Sequence, residues 1–342
     1  MKKIRRMSVS EIIAKATVWL CTALSAMLSL SCEKAGEARL TYITIEVPGV
    51  RETRSADPDE DRISDINLFI FSEDGMLEES CYLPSRTVEK NNGRISIRMP
   101  LVRGIESTIA CCANFGYQLE GIRTLEELSS YRYYMAYPDE YTRGIPMSCI
   151  VTETWGPDDD SIVLSLERMM ARISVAMDRS ELDSGVRIAV KSVRIGNCPR
   201  SASVAGPSTV RGNSDVFTRG FVKSYAEADA MNREIAPGQS GEVSVYMLEN
   251  RMGDLLDDTT DDYGKIPGGG LASSCSFIEI ECEYESATVS TRPGEYIRYR
   301  FYPGENNWNF DIARNCHYHF AVQPYGNGLG DSSWRVDTSG LE

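Results

Sequence analysis

The sequence predicts an all-β protein made of two tandem antiparallel β-sandwich domains, with short helices in the loops. After residue 39, most of the chain alternates apolar and polar side chains over short segments, which is the two-residue period of a half-buried strand. Glycine, proline and acidic residues separate these segments, as they separate strands in sandwiches. The chain has 342 residues, and at roughly 150 residues per domain it has room for two domains.

The first domain is predicted to begin with a strand over residues 40–47, in which threonine and glutamate stand between apolar residues. Further strands are predicted over residues 65–71, 76–83, 95–99 and 107–114. Asp74 and Gly75 lie between two of these segments and predict a hairpin, because glycine accepts the positive φ of the turn. Thr124 and Glu127 form a capping-box pattern, which predicts a short helix after Thr124.

A long apolar stretch over residues 162–177 divides the chain, and we place the domain junction near Arg168. The predicted strands of the second domain cover residues 171–177, 186–195, 242–248, 277–284, 296–302 and 311–322. Glutamates alternate with apolar residues in the fourth of these, so its sheet should have one solvated face. The stretches 199–240 and 250–275 are rich in Gly, Ser, Pro and Asp and are expected to be long loops. No internal repeat is visible in the sequence.

The predicted organisation has four parts. They are a leader over residues 1–31, a first strand and linker over residues 32–64, an N-terminal domain over residues 65–167 completed by strand 40–47, and a C-terminal domain over residues 168–342.

Charge and motif content exclude several classes of function. The formal net charge is −14, and the chain has no basic run, so nucleic-acid phosphates should be repelled. The chain has two histidines, His317 and His319. Their spacing on a strand could chelate a metal, but no distant histidine can complete a site, so we expect two solvent-side side chains. The glycines at residues 326–330 precede no amphipathic helix and are interpreted as a turn. We therefore expect no enzyme activity, metal or other cofactor.

The N-terminus predicts export. A basic head is followed by an apolar run of sixteen residues, 16–31, which is short for a membrane-spanning helix and typical of a signal peptide. The run ends at Ser31-Cys32, which resembles a bacterial lipoprotein signal, although Ser29 stands where leucine is usual. We expect acylation of Cys32 and anchoring in the outer membrane by several acyl chains. An ordinary cleaved signal peptide is the alternative.

The other cysteines show no disulfide framework. Apart from Cys21 and Cys32, they stand at positions 81, 111, 112, 149, 198, 275, 282 and 316, without a C-x-x-C pair. We expect most of them to behave as small core residues, and Cys282 lies in the apolar register of its segment.

The linker between the first two predicted strands is polar and contains three arginines, Arg51, Arg54 and Arg62. An exposed linker of this kind would be open to a trypsin-like protease. A cut would separate strand 40–47 from its domain. The vacated groove, with unpaired backbone groups, would then accept a strand from another chain.

These features together resemble the fimbrillin-like proteins, the type V pilus subunits of Bacteroides-type bacteria. The lipoprotein signal is followed by the early strand, by Thr53-Arg54-Ser55, and by the hairpin pattern from Ile63 to Gly75. Further matches are residues 166–173 at the domain junction, the stretch from Tyr302-Pro303-Gly304 to Tyr318, and Trp334-Arg335-Val336. The resemblance extends from about residue 39 to about residue 340.

The resemblance implies two transthyretin-like sandwiches, a cell-surface fimbria and polymerisation by strand exchange with other fimbrial subunits. In stalk and tip subunits of that family, an Arg-specific protease removes the first strand and a neighbour's C-terminal segment replaces it. Carried over here, Arg51 or Arg54 is the processing site and the region from Trp334 onward is the donor. Anchor subunits keep their first strand and their lipid, and this remains an alternative.

A second alternative is a surface lipoprotein that binds glycans through its sandwich loops. Its stacking platforms would be aromatic side chains, which more often belong to cores or strand faces. The candidates are Tyr131, Tyr133, Tyr134, Tyr137, Trp155 and Trp308.

Overall fold

The computed structural model describes most of the chain. The described residues are 38–46, 60, 62–84, 94–138, 140–156, 159–223, 228–261, 264–289, 291–330 and 336–341. No helix among them is long and apolar enough to cross a membrane.

The described residues of the N-terminal part form nine strands, one α-helix and one 3₁₀ helix. The strands are β1 (Ala38–Glu46), β2 (Ile66–Phe71), β3 (Leu77–Leu83), β4 (Arg94–Val102), β5 (Glu106–Ala113), β6 (Arg132–Tyr134), β7 (Met147–Thr154), β8 (Ser161–Ser165) and β9 (Glu167–Arg168). The helix α1 covers Leu125–Ser130, and the 3₁₀ helix covers Glu140–Arg143.

The C-terminal part contains thirteen described strands and three 3₁₀ helices. The strands are β10 (Met170–Met177), β11 (Val186–Gly196), β12 (Cys198–Pro199), β13 (Ser201–Ser203), β14 (Val216–Phe217), β15 (Phe221–Lys223), β16 (Glu234–Ala236), β17 (Gln239–Ser240), β18 (Val243–Leu248), β19 (Phe277–Ser286), β20 (Tyr296–Phe301), β21 (His317–Val322) and β22 (Val336–Gly340). The 3₁₀ helices cover Asn213–Asp215, Asp229–Asn232 and Gly269–Ser273.

In the N-terminal part, a three-stranded sheet with the order β4-β1-β8 packs on a five-stranded sheet with the order β3-β2-β5-β7-β9. Alternate residues of β4 and β8 face the shared core, including Ile97 and Leu164. All six residues of β2 are buried, because other segments cover its second face. The two-residue period thus places one apolar face of each sheet against the other.

The C-terminal part repeats this topology. Its three-stranded sheet has the order β18-β10-β21 and its five-stranded sheet the order β15-β11-β19-β20-β22. In each three-stranded sheet the strand that comes first in the sequence, β1 or β10, lies in the centre. It is antiparallel to one neighbour and parallel to the other. The sequence shows no such repeat, because pairing depends on which faces are apolar and not on residue identity. A second hydrophobic core begins at Ala171, whereas the first core runs along the chain to Met170 and also takes in Ala202, Val204, Tyr246 and Leu248.

The predicted all-β sandwich fold is confirmed, as are several local features. Gly75 has a φ of 76° in the turn between β2 and β3. Thr124 and Glu127 form both hydrogen bonds of the capping box at α1. One expectation was wrong: residues 199–240 are not merely a loop, because five described short strands, β13 to β17, lie in this stretch. β13 pairs with β6 of the N-terminal part, so this stretch also connects the two sandwiches.

Candidate functional site

β1 lies between two strands that are distant from it in the sequence. Nine residue pairs join it antiparallel to β4, and five join it parallel to β8. Both of its edges are therefore paired, and neither of its neighbours pairs with the other. A central strand with hydrogen bonds on both sides would leave two unpaired edges behind if it were removed. We call the space that β1 occupies between β4 and β8 the β1 slot.

The walls of the β1 slot are apolar. On the core-facing side, β4 contributes Ile95, Ile97, Met99 and Leu101 and β8 contributes Ile162 and Leu164, all at most 8% exposed. Within β1, Thr41 is 1% exposed and the adjacent Tyr42 is 40% exposed. The register places Ile43 opposite Ile97 and Ile162, and Ile45 opposite Ile95 and Leu164. At the described side chains, the buried Thr41 pairs with the buried Met99 and the exposed Tyr42 with the exposed Arg98, so β1 and β4 alternate in step there.

One end of the β1 slot is polar. Arg103, which is 7% exposed, follows β4 and donates to Thr41 Oγ1 at 3.4 Å and to the backbone carbonyl of Asp159 at 3.0 Å. Its guanidinium also lies 3.1 Å from Asp160 Oδ1. The backbone N–H of Tyr42 donates to the Asp160 carbonyl at 3.2 Å. Arg98 stacks over the Tyr42 ring at 4.0 Å from its centroid. Sequence reasoning missed Arg103 and Asp160, since nothing local marks them.

The linker after β1 is fixed at its downstream end. Glu60 is 4% exposed and its carboxylate lies 2.7 Å from the guanidinium of Arg172. Ile63 is 5% exposed, and the carbonyl of Arg62 accepts a hydrogen bond from Asn114 Nδ2 at 2.8 Å. Protease access at Arg62 stays a prediction, and the structure adds that the backbone on both sides of Arg62 is hydrogen-bonded or buried. Its side chain is exposed, but the backbone around it is held.

Four of the predicted site residues, Cys32, Arg51, Arg54 and Trp334, lie outside the described residues, so their roles stay predictions.

The described part of the predicted donor is β22, an edge strand that pairs with β20. Arg298 Nη1 lies 3.6 Å from Asp337 Oδ2, and both side chains are partly exposed. Val336 is 9% exposed and belongs to the second core. The ion pair is partly exposed and contributes little to holding β22, so its attachment rests on pairing with β20 and on the packing of Val336 and Leu341.

The aromatic residues of the glycan alternative do not form one platform. Tyr133 and Trp155 are 4% and 6% exposed and belong to the first core. Tyr134 and Tyr137 are 64% and 68% exposed. Trp308 is half-buried, far along the chain in the loop before β21.

The two histidines lie on one face of β21, as expected, but His317 is not simply solvent-side. Its Nε2 lies 2.7 Å from Ser174 Oγ, and its buried Nδ1 has no hydrogen-bond partner among the described residues. Its ring centroid is 3.8 Å from that of His319. Burial, with smaller contributions from His319 and Arg172, lowers the pKa of His317 to about 4. Among the described residues, no three His, Cys, Asp or Glu side chains are grouped to hold a metal.

The eight cysteines from Cys81 to Cys316 are all free thiols. Five are buried, including Cys282, in agreement with a role as core residues. Cys316 is exposed and is therefore an exception to the expected role as a core residue.

The chain is similar to known proteins in part of its sequence and in its fold. A family model described as a domain of unknown function (DUF4906) matches residues 245–322. No curated protein matches the chain. The chain is similar to the crystal structure of a candidate cell adhesion protein from Bacteroides eggerthii, with a TM-score of 0.56 and 15% identity over 90% of this chain and 95% of that one.

Two solved structures from Porphyromonas gingivalis are also similar. A fimbrilin has a TM-score of 0.51 and 13% identity over 84% of this chain and 90% of that one. A tip fimbrial protein, solved with a C-terminal truncation, has a TM-score of 0.50 and 12% identity over 83% of this chain and 94% of that one. At these identities the likeness concerns the fold, and the fold of this chain is similar to the β-sandwich fold of these fimbrial and adhesion proteins.

Proposed function

We propose that this chain is a structural subunit of a cell-surface fimbria that assembles by strand exchange and supports adhesion. The chain is exported as a lipoprotein, acylated at Cys32 and held in the outer membrane. A trypsin-like protease cuts at Arg51 or Arg54 and releases β1. The tail of another fimbrial subunit then occupies the β1 slot.

The position of β1 supports this proposal. Neighbouring strands lie about 4.8 Å apart, so removing β1 would leave β4 and β8 two spacings, or roughly 10 Å, apart. A gap of this size accommodates one inserted strand. Both facing edges would offer unpaired backbone groups above an apolar floor. Each aliphatic side chain buried in that floor would contribute roughly 1.5 to 3 kcal/mol, so an inserted strand would form a durable joint. This role needs no catalytic group.

The repeated topology supports the C-terminal tail as the donor. Within one chain, β9 ends the first five-stranded sheet at Arg168, and β10 begins at Met170 as the central strand of the next sandwich. In the second sandwich, β22 occupies the edge position that β9 occupies in the first. A β22 segment detached from β20 would therefore extend from the same edge at which the chain itself passes from β9 into the centre of the second sandwich.

The test uses the mature protein purified from cells and an arginine-specific protease. We expect one main cut, with a new N-terminus at Glu52 or Ser55, followed by heat-resistant ladders on a gel. The double variant Arg51→Gln/Arg54→Gln should stay uncut and monomeric. Arg123→Gln, which alters an exposed arginine elsewhere, is the matched control and should form ladders. A cleaved product that remains monomeric would contradict the proposal.

The donor assignment has a separate test. Deleting the residues from Trp334 onward should abolish ladders while the remaining chain still unfolds cooperatively. Unchanged ladders would refute the assignment. A synthetic peptide with the sequence of residues 38–47 should also inhibit ladder formation, and a scrambled peptide should not.

The N-terminus of the protein isolated from cells separates the subunit types. An acylated Cys32 with β1 retained would identify an anchor subunit, and an N-terminus just after a linker arginine would identify a stalk or tip subunit.

A further inference from the structure

Glu60 is an acidic residue of a linker, yet its side chain is buried between the two sandwiches. Acidic side chains are almost never buried this far unless they are paired. Its burial therefore needs polar partners. The structure supplies two for the carboxylate and one for the backbone carbonyl.

The partners of Glu60 come from three different strands. Arg172 Nη1 on β10 lies 2.7 Å from Glu60 Oε1, and both side chains are at most 8% exposed. Tyr246 on β18 donates its hydroxyl hydrogen to the same carboxylate oxygen. Arg168 Nε on β9 donates to the Glu60 backbone carbonyl at 3.3 Å. Side chain and backbone of Glu60 are thus both held, by one residue at the domain junction and two from the C-terminal sandwich.

The residues just after Glu60 are held by the N-terminal sandwich. Asn114 donates from Nδ2 to the Arg62 carbonyl at 2.8 Å and accepts from the Ser64 backbone N–H at 2.7 Å. The same Nδ2 donates to the Ile145 carbonyl at 2.7 Å. Ile63 itself is 5% exposed in the first core. The Arg62–Ile63 bond therefore lies between two points of attachment.

A protease binds several residues on both sides of the bond it hydrolyses in an extended conformation. Before water can add across the Arg62–Ile63 peptide bond, Glu60 and Ile63 would both have to leave their buried positions. When local opening and closing are fast relative to cleavage, the rate of cleavage of a native protein follows the population of the locally opened form. Detaching Glu60 from Arg172 would leave a buried charge unpaired, which keeps that population small.

We propose that Glu60 is a latch that shields the Arg62–Ile63 bond and confines proteolytic processing of the linker to residues upstream of position 60. The latch also keeps the new N-terminal segment bound across the two sandwiches after an upstream cut. Its bearing on fimbrial assembly rests on the proposed function, whereas the shielding itself does not.

The test is limited digestion of the mature full chain with trypsin, with the N-terminus of each fragment identified by mass spectrometry. In the wild-type protein we expect no fragment that begins at Ile63 while the sandwiches remain intact. Glu60→Gln should make this fragment appear about tenfold faster, since the loss of a charged hydrogen bond raises the opened population by about that factor. Glu78→Gln, at an exposed position on β3, is the matched control and should behave as wild type.

A second variant covers the case in which Glu60→Gln fails to fold. Tyr246→Phe removes one hydrogen bond to Glu60 and leaves the ring packed 5.2 Å from Tyr141. It should increase the Ile63 fragment by a smaller factor without new cuts elsewhere in the chain. Early cleavage after Arg62 in the wild type, or an unchanged rate in both variants, would overturn the latch. Ladder formation is scored separately, so a protein that is shielded at Arg62 but never polymerises refutes only the proposed function.

Discussion

Arg314 Nη2 lies 2.9 Å from Glu249 Oε2, and the same guanidinium donates to the backbone carbonyls of Ser203 and Gly206. The Glu249 carboxylate also accepts the backbone N–H of Ser208 at 2.9 Å. The Arg314 side chain is 13% exposed and that of Glu249 is 5% exposed. This pair therefore joins the end of β18, the segment before β21 and the loop after β13 in one buried network.

We expect Glu249→Gln to lower the free energy of unfolding by about 3 to 5 kcal/mol, because it leaves a largely buried guanidinium without its countercharge. Urea titration followed by circular dichroism measures this difference. Glu285→Gln is the control, since Glu285 pairs with Arg187 at 3.5 Å with both side chains more than half exposed. It should change the free energy by less than about 1 kcal/mol. Equal effects of the two variants would contradict the prediction.

Alanine substitutions at two adjacent positions of β8, in the wall of the β1 slot, should lower the stability of the protein by different amounts. Leu164 is fully buried and pairs with Ile45 in the register of β1 and β8, so Leu164→Ala should cost about 2 to 5 kcal/mol of stability. Val163 is 54% exposed on the other face, and Val163→Ala should cost less than about 1 kcal/mol. Chemical denaturation of both variants measures the contrast, and similar losses would show that β8 does not face the core as described.

His317 should make the protein sensitive to mild acid. Burial is the chief cause that lowers the pKa of His317 to about 4 in the folded protein, whereas the pKa of a histidine in an unfolded chain is about 6.5. Below about pH 6.5 the unfolded chain therefore binds a proton that the folded chain does not. The stabilising contribution of neutral His317 is complete above that pH and decreases as the pH falls toward 4.

The urea midpoint, measured between pH 7 and pH 4.5, tests this titration. It should fall more steeply for the wild type than for His317→Gln. His319→Gln should give an intermediate slope, because His319 contributes to the lowered pKa of His317. Identical slopes in all three proteins would exclude His317 as the group responsible.

The cysteines should differ in reactivity by exposure. In the native protein Cys316 is exposed, while Cys111, Cys112 and Cys282 are fully buried. Burial raises the pKa of all four thiols, so access to the reagent distinguishes Cys316 from the others. A maleimide at pH 8 should therefore label Cys316 first, and Cys316→Ser should remove this rapid phase. Labelling of the buried thiols should require denaturant but no reductant. A requirement for reductant would reveal disulfides in the isolated protein.

The local features of the fold could be predicted because they depend on neighbouring residues. The turn at Gly75 follows from one residue that tolerates a φ of 76°. The helix after Thr124 follows from a side chain and a backbone group three residues apart. The face of β19 follows from strict alternation, which places Cys282 at 0% exposure.

The candidate site depends on residues that are far apart in the sequence. No local pattern indicates that Arg103 contacts Thr41 or that Glu60 contacts Arg172, because these contacts arise from strand order and from the packing of two sandwiches. Glu60 and Arg62 illustrate the difference, since a polar linker with arginines is normally accessible. Here two sets of hydrogen bonds from different sheets hold its downstream end, at Glu60 and Arg62.

By itself, the sequence determined that this chain forms β-strands, which side of most strands is apolar, and that two sandwiches follow one another. These properties are set by side-chain alternation within a few residues. Only the tertiary structure decided that β1 lies in the centre of its sheet between β4 and β8, that the second sandwich repeats this arrangement around β10, and that the linker is fastened at Glu60. Alternation specifies a face but not a neighbour, and neighbours are chosen by burial and hydrogen bonding summed over the whole fold.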